Sequence, residues 1–142
     1  MYLLDANILR YFFAGHPILD EHLRRVPETE LAVASVTVAE VLRGRCDNAL
    51  KATPEQLPLA HRLLIESQQS LKRFQVIVFD QICSARLIQL KKQHKNHKRY
   101  PDLMIAATAL ALNHIVVTRN TRHFADLLPA NRMANWIDDP PR

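Results

Sequence analysis

Short apolar runs, each feeding a stretch of helical spacing, constrain this chain more than any other feature. Residues 2–4 form the first run and end at Asp5, after which Ile8, Leu9, Tyr11, Phe12 and Phe13 share the buried side of a helix stopped at Gly15. Leu31–Ala34 leads through Ser35 into Thr37–Arg43, which has helical spacing and a glycine stop at Gly44. Phe74 to Phe79 reads as a buried strand, with Asp80 as the N-cap of a helix reaching about His97. His114–Thr118 is a fourth strand, followed by a short helix from Thr121 to Leu128, and Met133 to Ile137 offers a last one. Pro17 to Arg25 is a further helix, and Pro54 to about Lys72 reads as one or two amphipathic helices. Leu103–Leu112, opened by Pro101 and Asp102, is apolar almost all round and predicts a helix central to the core.

Strands continuous in Val, Ile and Leu, alternating with helices, predict an α/β fold. Its centre is a mostly parallel sheet of four to five strands, covered on both faces as a three-layer α/β/α sandwich. With 142 residues and no repeat or linker, one domain over 1–142 is expected. In such sheets ligands bind beyond the carboxyl ends of the strands.

Several chemistries are excluded at once. The only glycines, Gly15 and Gly44, cannot build a P-loop or a dinucleotide-binding turn. Cys46 and Cys83 are too few and too separated for a metal knuckle or a disulfide framework, and read as two lone buried thiols. No segment reaches the roughly 18 apolar residues of a membrane span and the N-terminus lacks a basic leader, so a cytoplasmic protein with no membrane partner is expected. Nineteen Lys and Arg against fourteen Asp and Glu, a net charge of +5, favour a polyanionic partner.

Against that basic background three acids sit in apolar surroundings: Asp5 at the end of the first strand, Glu40 in the helix after the second, and Asp102 at the head of the central helix. A buried carboxylate is costly unless paired or bound to a cation. Asp5 and Asp102 also suit N-caps, and Thr37-x-x-Glu40 satisfies a capping box. Taken together, three acids from distant segments at one strand-end crevice repel one another and call for a cation. Oxygen ligands alone favour Mg²⁺ or Mn²⁺ over zinc, and ions held this way orient water for phosphodiester cleavage.

The same residues carry a resemblance. Leu4-Asp5-Ala6-Asn7 resembles the L-D-T-N opening of PIN-domain ribonucleases, and Thr37-Val38-Ala39-Glu40 their T-x-x-E. Asp102 to Ala109 is similar to their D-x-x-I-A-A-T-A, and Val117-Thr118-Arg119-Asn120 to the V-T-x-N/D that follows. The resemblance spans residues 2 to about 136, and small basic members of this length are mostly VapC-type toxins. It implies a PIN-like fold and a Mg²⁺-dependent endoribonuclease, usually a homodimer, held inactive by a cognate antitoxin whose tail occupies the active-site groove. By carry-over Asp5, Glu40 and Asp102 are the acidic metal ligands, with Asn7, Thr37, Thr118 and Asn120 as supporting polar groups. Two departures stand out. Ala6 replaces the usual Thr, and the segment Thr118–Phe124 holds Asn120 and His123 where the family commonly has a fourth acid.

Lys91, Lys92, His94, Lys95, His97, Lys98 and Arg99 crowd the stretch before Asp102. They read either as a solvated helix face or as a clamp for RNA phosphates, with Lys95, Lys98 and Arg99 as contacts and Arg119 as a further one. His94 and His97, one helical turn apart, also match transition-metal spacing, though no third ligand accompanies them. Two functional readings follow: a metal-dependent endoribonuclease, or a catalytically weak PIN-like module that binds RNA or a protein.

Overall fold

The computed structural model describes residues 1–142. Five parallel strands, β1 (Tyr2–Leu4), β2 (Leu31–Ala34), β3 (Gln75–Ile77), β4 (Ile115–Val117) and β5 (Met133–Ala134), form one sheet in the order β3-β2-β1-β4-β5. Seven helices connect them: α1 (Ala6–Phe13), α2 (Pro17–Arg25), α3 (Ser35–Lys51), α4 (Leu57–Leu71), α5 (Gln81–Gln93), α6 (Tyr100–Leu112) and α7 (Thr121–Phe124). None is long and apolar enough to cross a membrane.

Because neighbouring side chains on a strand point to opposite faces, each short strand feeds two cores. Leu3, Ala32 and Val116 pack with α5, α6 and α7 through Leu87, Ile105, Ala106 and Phe124. Leu4, Val33 and Val117 face the other way, against Ile8 and Leu9 of α1, Leu19 and Leu23 of α2, and Leu71 of α4. This is the expected three-layer arrangement. The near-complete apolarity of α6 follows from its place: Leu103 and Ile105–Ala109 are all buried, and its alanines allow close approach to the sheet and α5. Left-handed Asn113 (φ 62°) ends the helix, as Gly15 (φ 71°) does after α1.

Several boundaries differ from the sequence reading. α3 continues through Gly44 to Lys51, because its second half packs along α4, where Ala49 and Ala60 are buried and His61 Nε2 lies 3.0 Å from the Ala49 carbonyl. Tertiary packing there outweighs a cost of about 1 kcal/mol for an internal glycine. The Phe74–Phe79 run is an edge strand rather than a buried one, with Val76 and Val78 exposed. α5 stops at Gln93, which leaves residues 94–99 as a loop, and α7 and β5 are shorter than expected. Cys83 is buried but Cys46 is exposed. Phe124, 1% exposed, anchors the segment between β4 and β5. Phe124→Ala is expected to cost about 3–5 kcal/mol of stability, measurable by urea unfolding.

Candidate metal and phosphodiester site

The strand order runs outward in both directions from β1 and β4, so a crevice opens beyond their carboxyl ends. Asp5 and Thr118 follow those ends directly. The Asp5 amide donates to the Val117 carbonyl (3.2 Å), extending the ladder by one rung, while its Oδ1 accepts the Ile8 amide (2.8 Å) as N-cap of α1. Asp5 therefore both caps a helix and presents a carboxylate at the crevice, fixed by backbone on two sides and only 6% exposed.

The other two acids arrive from opposite layers. Glu40 lies on α3 and Asp102 in the first turn of α6, whose N-cap is Arg99. The alternative capping roles are thus absent for both: Ala34 occupies the cap position of α3 with no side-chain bond, and the Thr37–Glu40 box does not form. Asp5, Glu40 and Asp102 line one cavity of about 210 Å³, together with Asn7, Asn120, Arg10, Arg99 and His123.

Their electrostatics are those of a crowded acid site. Burial pushes the Asp5 carboxyl up to about 6, opposed by hydrogen bonds from Thr118 and the Ile8 amide and reinforced by the charge of Asp102. Glu40 is raised by burial and then by Asp102 and Asp5, with Arg43 and Arg10 pulling it back. Asp102 is raised by burial and relieved by His123, Arg99 and His97. Removing a proton from any one makes the next harder to remove.

Asp102 Oδ2 is buried without a hydrogen-bond partner. A buried acceptor left in this way marks a place for a water or an ion. No three His, Cys, Asp or Glu side chains stand close enough to close round a metal as a ready cage. The donors present are carboxylate and amide oxygens in an open cavity. That set fits a hard divalent cation such as Mg²⁺, which keeps several of its waters and uses one or two carboxylates, better than a closed structural metal.

Of the supporting polar residues, Asn7 and Asn120 line the cavity. The buried Thr118 hydroxyl accepts the Asn120 amide (3.0 Å) beside Asp5. Thr37 does not reach the site: it is fully buried, its hydroxyl lacks a partner, and it is absent from the cavity wall. Arg119 is also absent from the wall of the acid cavity. Its Nε and one terminal nitrogen both donate to Asp138 at 3.1 Å, and the other donates to the Tyr11 hydroxyl at 2.6 Å, so all three guanidinium nitrogens are committed.

Lys95, Lys98 and Arg99 do border the site. With Arg122, His97 and His123 they line an entirely polar cleft of about 430 Å³, and Arg99 and His123 form part of the wall of both the cleft and the acid cavity. His94 and His97 do not act as a pair. His94 caps α5, and His97 turns its Nε2 to the His123 carbonyl (3.2 Å). A second basic cleft, of about 500 Å³, opens on the opposite side between α1 and α3, lined by Arg10, Arg43 and Arg45 and sharing Arg10 and Glu40 with the acid cavity. Arg45 is engaged by Ser67 Oγ (3.0 Å), which leaves Arg10 and Arg43 as the exposed cations there. Arg10 escaped the sequence reading, although it stands three residues after Asn7 and hence on the same helix face.

Residues 2–127 match the PIN domain family. The chain is 31% identical over 129 residues to Ribonuclease VapC1 of Haemophilus influenzae, covering 87% of this chain and 90% of that protein. Among solved structures it is similar to FitAcB from Neisseria gonorrhoeae, with a TM-score of 0.73, 27% identity, and 96% and 98% of the two chains covered. A toxin–antitoxin complex from Klebsiella pneumoniae shares the fold at a TM-score of 0.71 and 24% identity, with 96% and 98% covered. Three acids lining one cavity, the sheet order and these similarities agree: the chain belongs to the PIN-domain family and, within it, to the VapC type.

Proposed function

We propose that this chain is a divalent-metal-dependent endoribonuclease, the toxin of a type II toxin–antitoxin pair, hydrolysing RNA phosphodiesters in the crevice beyond β1 and β4. The observation that carries the reading is one cavity holding Asp5, Glu40 and Asp102 between two basic clefts. Acids gather where charge must be neutralised by a cation, and flanking arginines and lysines gather where a polyanion passes. Membership of the VapC type, with a relative named as a ribonuclease, supports RNA as that polyanion.

Asp5, Glu40 and Asp102 would hold Mg²⁺ or Mn²⁺, which when bound lowers the pKa of water and offsets charge on the phosphate. Asp5, rigid on two backbone bonds, fixes the position of the site. Asn7 and Asn120 offer neutral amide oxygens and N–H groups to bound water or to the phosphate. Arg99 on one rim and Arg10 and Arg43 on the other would hold the phosphates on either side of the scissile bond. The strand then crosses the acids between two grips.

That path predicts the effect of removing charge. Arg99→Ala and Arg43→Ala are each expected to weaken RNA binding across all sequences and to reduce the slope of log affinity against log salt by about one, measured by fluorescence anisotropy. Arg119→Ala is expected to leave that slope unchanged, because its guanidinium is held by Asp138 and Tyr11.

The partner proposed is a cognate antitoxin whose tail fills the active-site groove, with the toxin itself a homodimer. Asn120 and His123, in place of a further acid, favour a second reading in which the chain binds RNA or protein without cutting. Incubating the antitoxin-free protein with a mixed cellular RNA pool, with Mg²⁺ or Mn²⁺ and with excess EDTA, separates the two. Cleavage that EDTA stops supports the nuclease; intact RNA that is nevertheless bound supports the binding module.

A further inference from the structure

We infer that the cleft between α1 and α3 is a subsite for one nucleobase of the bound RNA, seated over Gly44 and selective for guanine. The assignment rests on the RNA reading of the neighbouring acid cavity and extends it to sequence preference.

Two helix faces build the cleft, which at about 500 Å³ falls within the range of small-ligand sites. Ala6, Arg10 and Phe13, spaced four and three apart, supply one wall from α1. The other wall is a face of α3 with Gly44 at its centre, one turn from Glu40 on one side and from Asn48 on the other. Glu40 lines the acid cavity as well, so a strand crossing the acids brings a neighbouring base to the cleft.

Nothing inside the protein calls for glycine at that place. Gly44 is not left-handed, as Gly15 is, and a Cβ built on it meets no atom within 4 Å. A glycine inside a helix weakens it, and serves where another backbone or a ligand must come close. No other segment of the chain comes close here, and the open face of Gly44 is the floor of the cleft.

The groups flanking Gly44 match one base. At about 100° per residue, Arg45 and Asp47 project from opposite sides of Gly44 around the helix. Arg45 is held in place: its Nε donates to the buried Ser67 hydroxyl at 3.0 Å, and its guanidinium lies 5.6 Å from the Phe13 ring centroid. Its two terminal nitrogens remain, a planar pair of donors that fits the O6 and N7 acceptors of guanine. Asp47, exposed on the other side, accepts only, as the N1–H and N2–H donors of guanine require. Adenine turns a donor at N6 towards Arg45 in place of O6, and has no N–H at N1 to offer Asp47.

The test uses the full chain in EDTA, so that nothing is cut, and short fluorescein-labelled oligouridylates carrying one central guanosine, inosine or adenosine. Fluorescence anisotropy is expected to show the guanosine probe bound about tenfold more tightly than the adenosine probe. Inosine, which lacks the N2 amine, should fall between them. Asp47→Asn should bring guanosine down to the level of adenosine, while plain oligouridylate binds at least as well as to wild type because a negative charge is gone. Gly44→Ala should melt about 3 °C higher, alanine being the better helix former, and yet lose the same preference. Equal binding of guanosine and adenosine by wild type, or a preference that survives both substitutions, overturns the subsite. Failure of wild type to bind any of the probes also overturns it. The nuclease reading is tested apart, by EDTA-sensitive cleavage of cellular RNA, and stands or falls on that result.

Discussion

Asp5→Asn is expected to abolish RNA cleavage, by about a thousandfold or more, and at the same time to make the protein more stable. The two effects have one origin. A carboxyl that titrates near 6 in the folded chain and near 3.8 unfolded keeps its proton in the native state over a window where the unfolded chain has lost it. Stability contributed by Asp5 is therefore greatest below about pH 4, falls as pH rises to about 6, and at neutral pH leaves a deficit of about 3 kcal/mol. Asparagine removes the charge and still accepts the Ile8 amide, since it caps helices as well as aspartate does. The melting temperature of the variant in metal-free buffer should rise by about 5–10 °C at neutral pH and by much less at pH 4. A variant that loses cleavage and stability together would make Asp5 a structural cap whose loss damages the fold.

Divalent cation is expected to do reversibly what the substitution does permanently. An ion that binds the folded chain alone stabilises it by about 2.7 kcal/mol when free ion reaches about 100 times its Kd. Raising Mg²⁺ or Mn²⁺ at neutral pH should therefore raise the melting temperature in proportion to the logarithm of concentration, with EDTA reversing the shift. The gain should fade as pH drops through about 6, where Asp5 takes up its proton. In Asp5→Asn it should be small at every pH. A shift of equal size in the variant would place the ion elsewhere on the chain.

The acid site is legible in the sequence because each of its carboxylates contradicts its surroundings. Asp5 ends an apolar strand, and Asp102 opens a helix that has almost no other polar residue. The layers are legible for a related reason: strands short of polar residues must be covered on both faces. What sequence alone leaves open is which of several partners claims a flexible side chain. Arg119 follows the site residue Thr118 directly, yet alternation along the chain turns it away to Asp138, a residue 19 positions on. Thr37 shares a motif and, at three residues' distance, a helix face with Glu40, but one turn nearer the start of α3 it is fully buried. Arg10 has no motif at all, and only the placement of α1 against α3 brings it beside Glu40. Gly44 looks like a stop until α4 packs alongside and extends α3 past it.

Water delivered at a metal-held acid cluster leaves a chemical record on the product. Direct hydrolysis of an RNA phosphodiester by water gives a phosphate on one fragment and intact hydroxyls on the other. Attack by the neighbouring 2′-hydroxyl, which needs only a general acid and base, gives a 2′,3′-cyclic phosphate. Mapping the ends produced by wild-type protein with Mg²⁺ or Mn²⁺ therefore tests the central claim most directly. The account predicts a linear phosphate on one fragment and a free hydroxyl on the other, formed only with the ion and lost in Asp5→Asn. Cyclic phosphate ends, or cleavage that persists in EDTA, would contradict it.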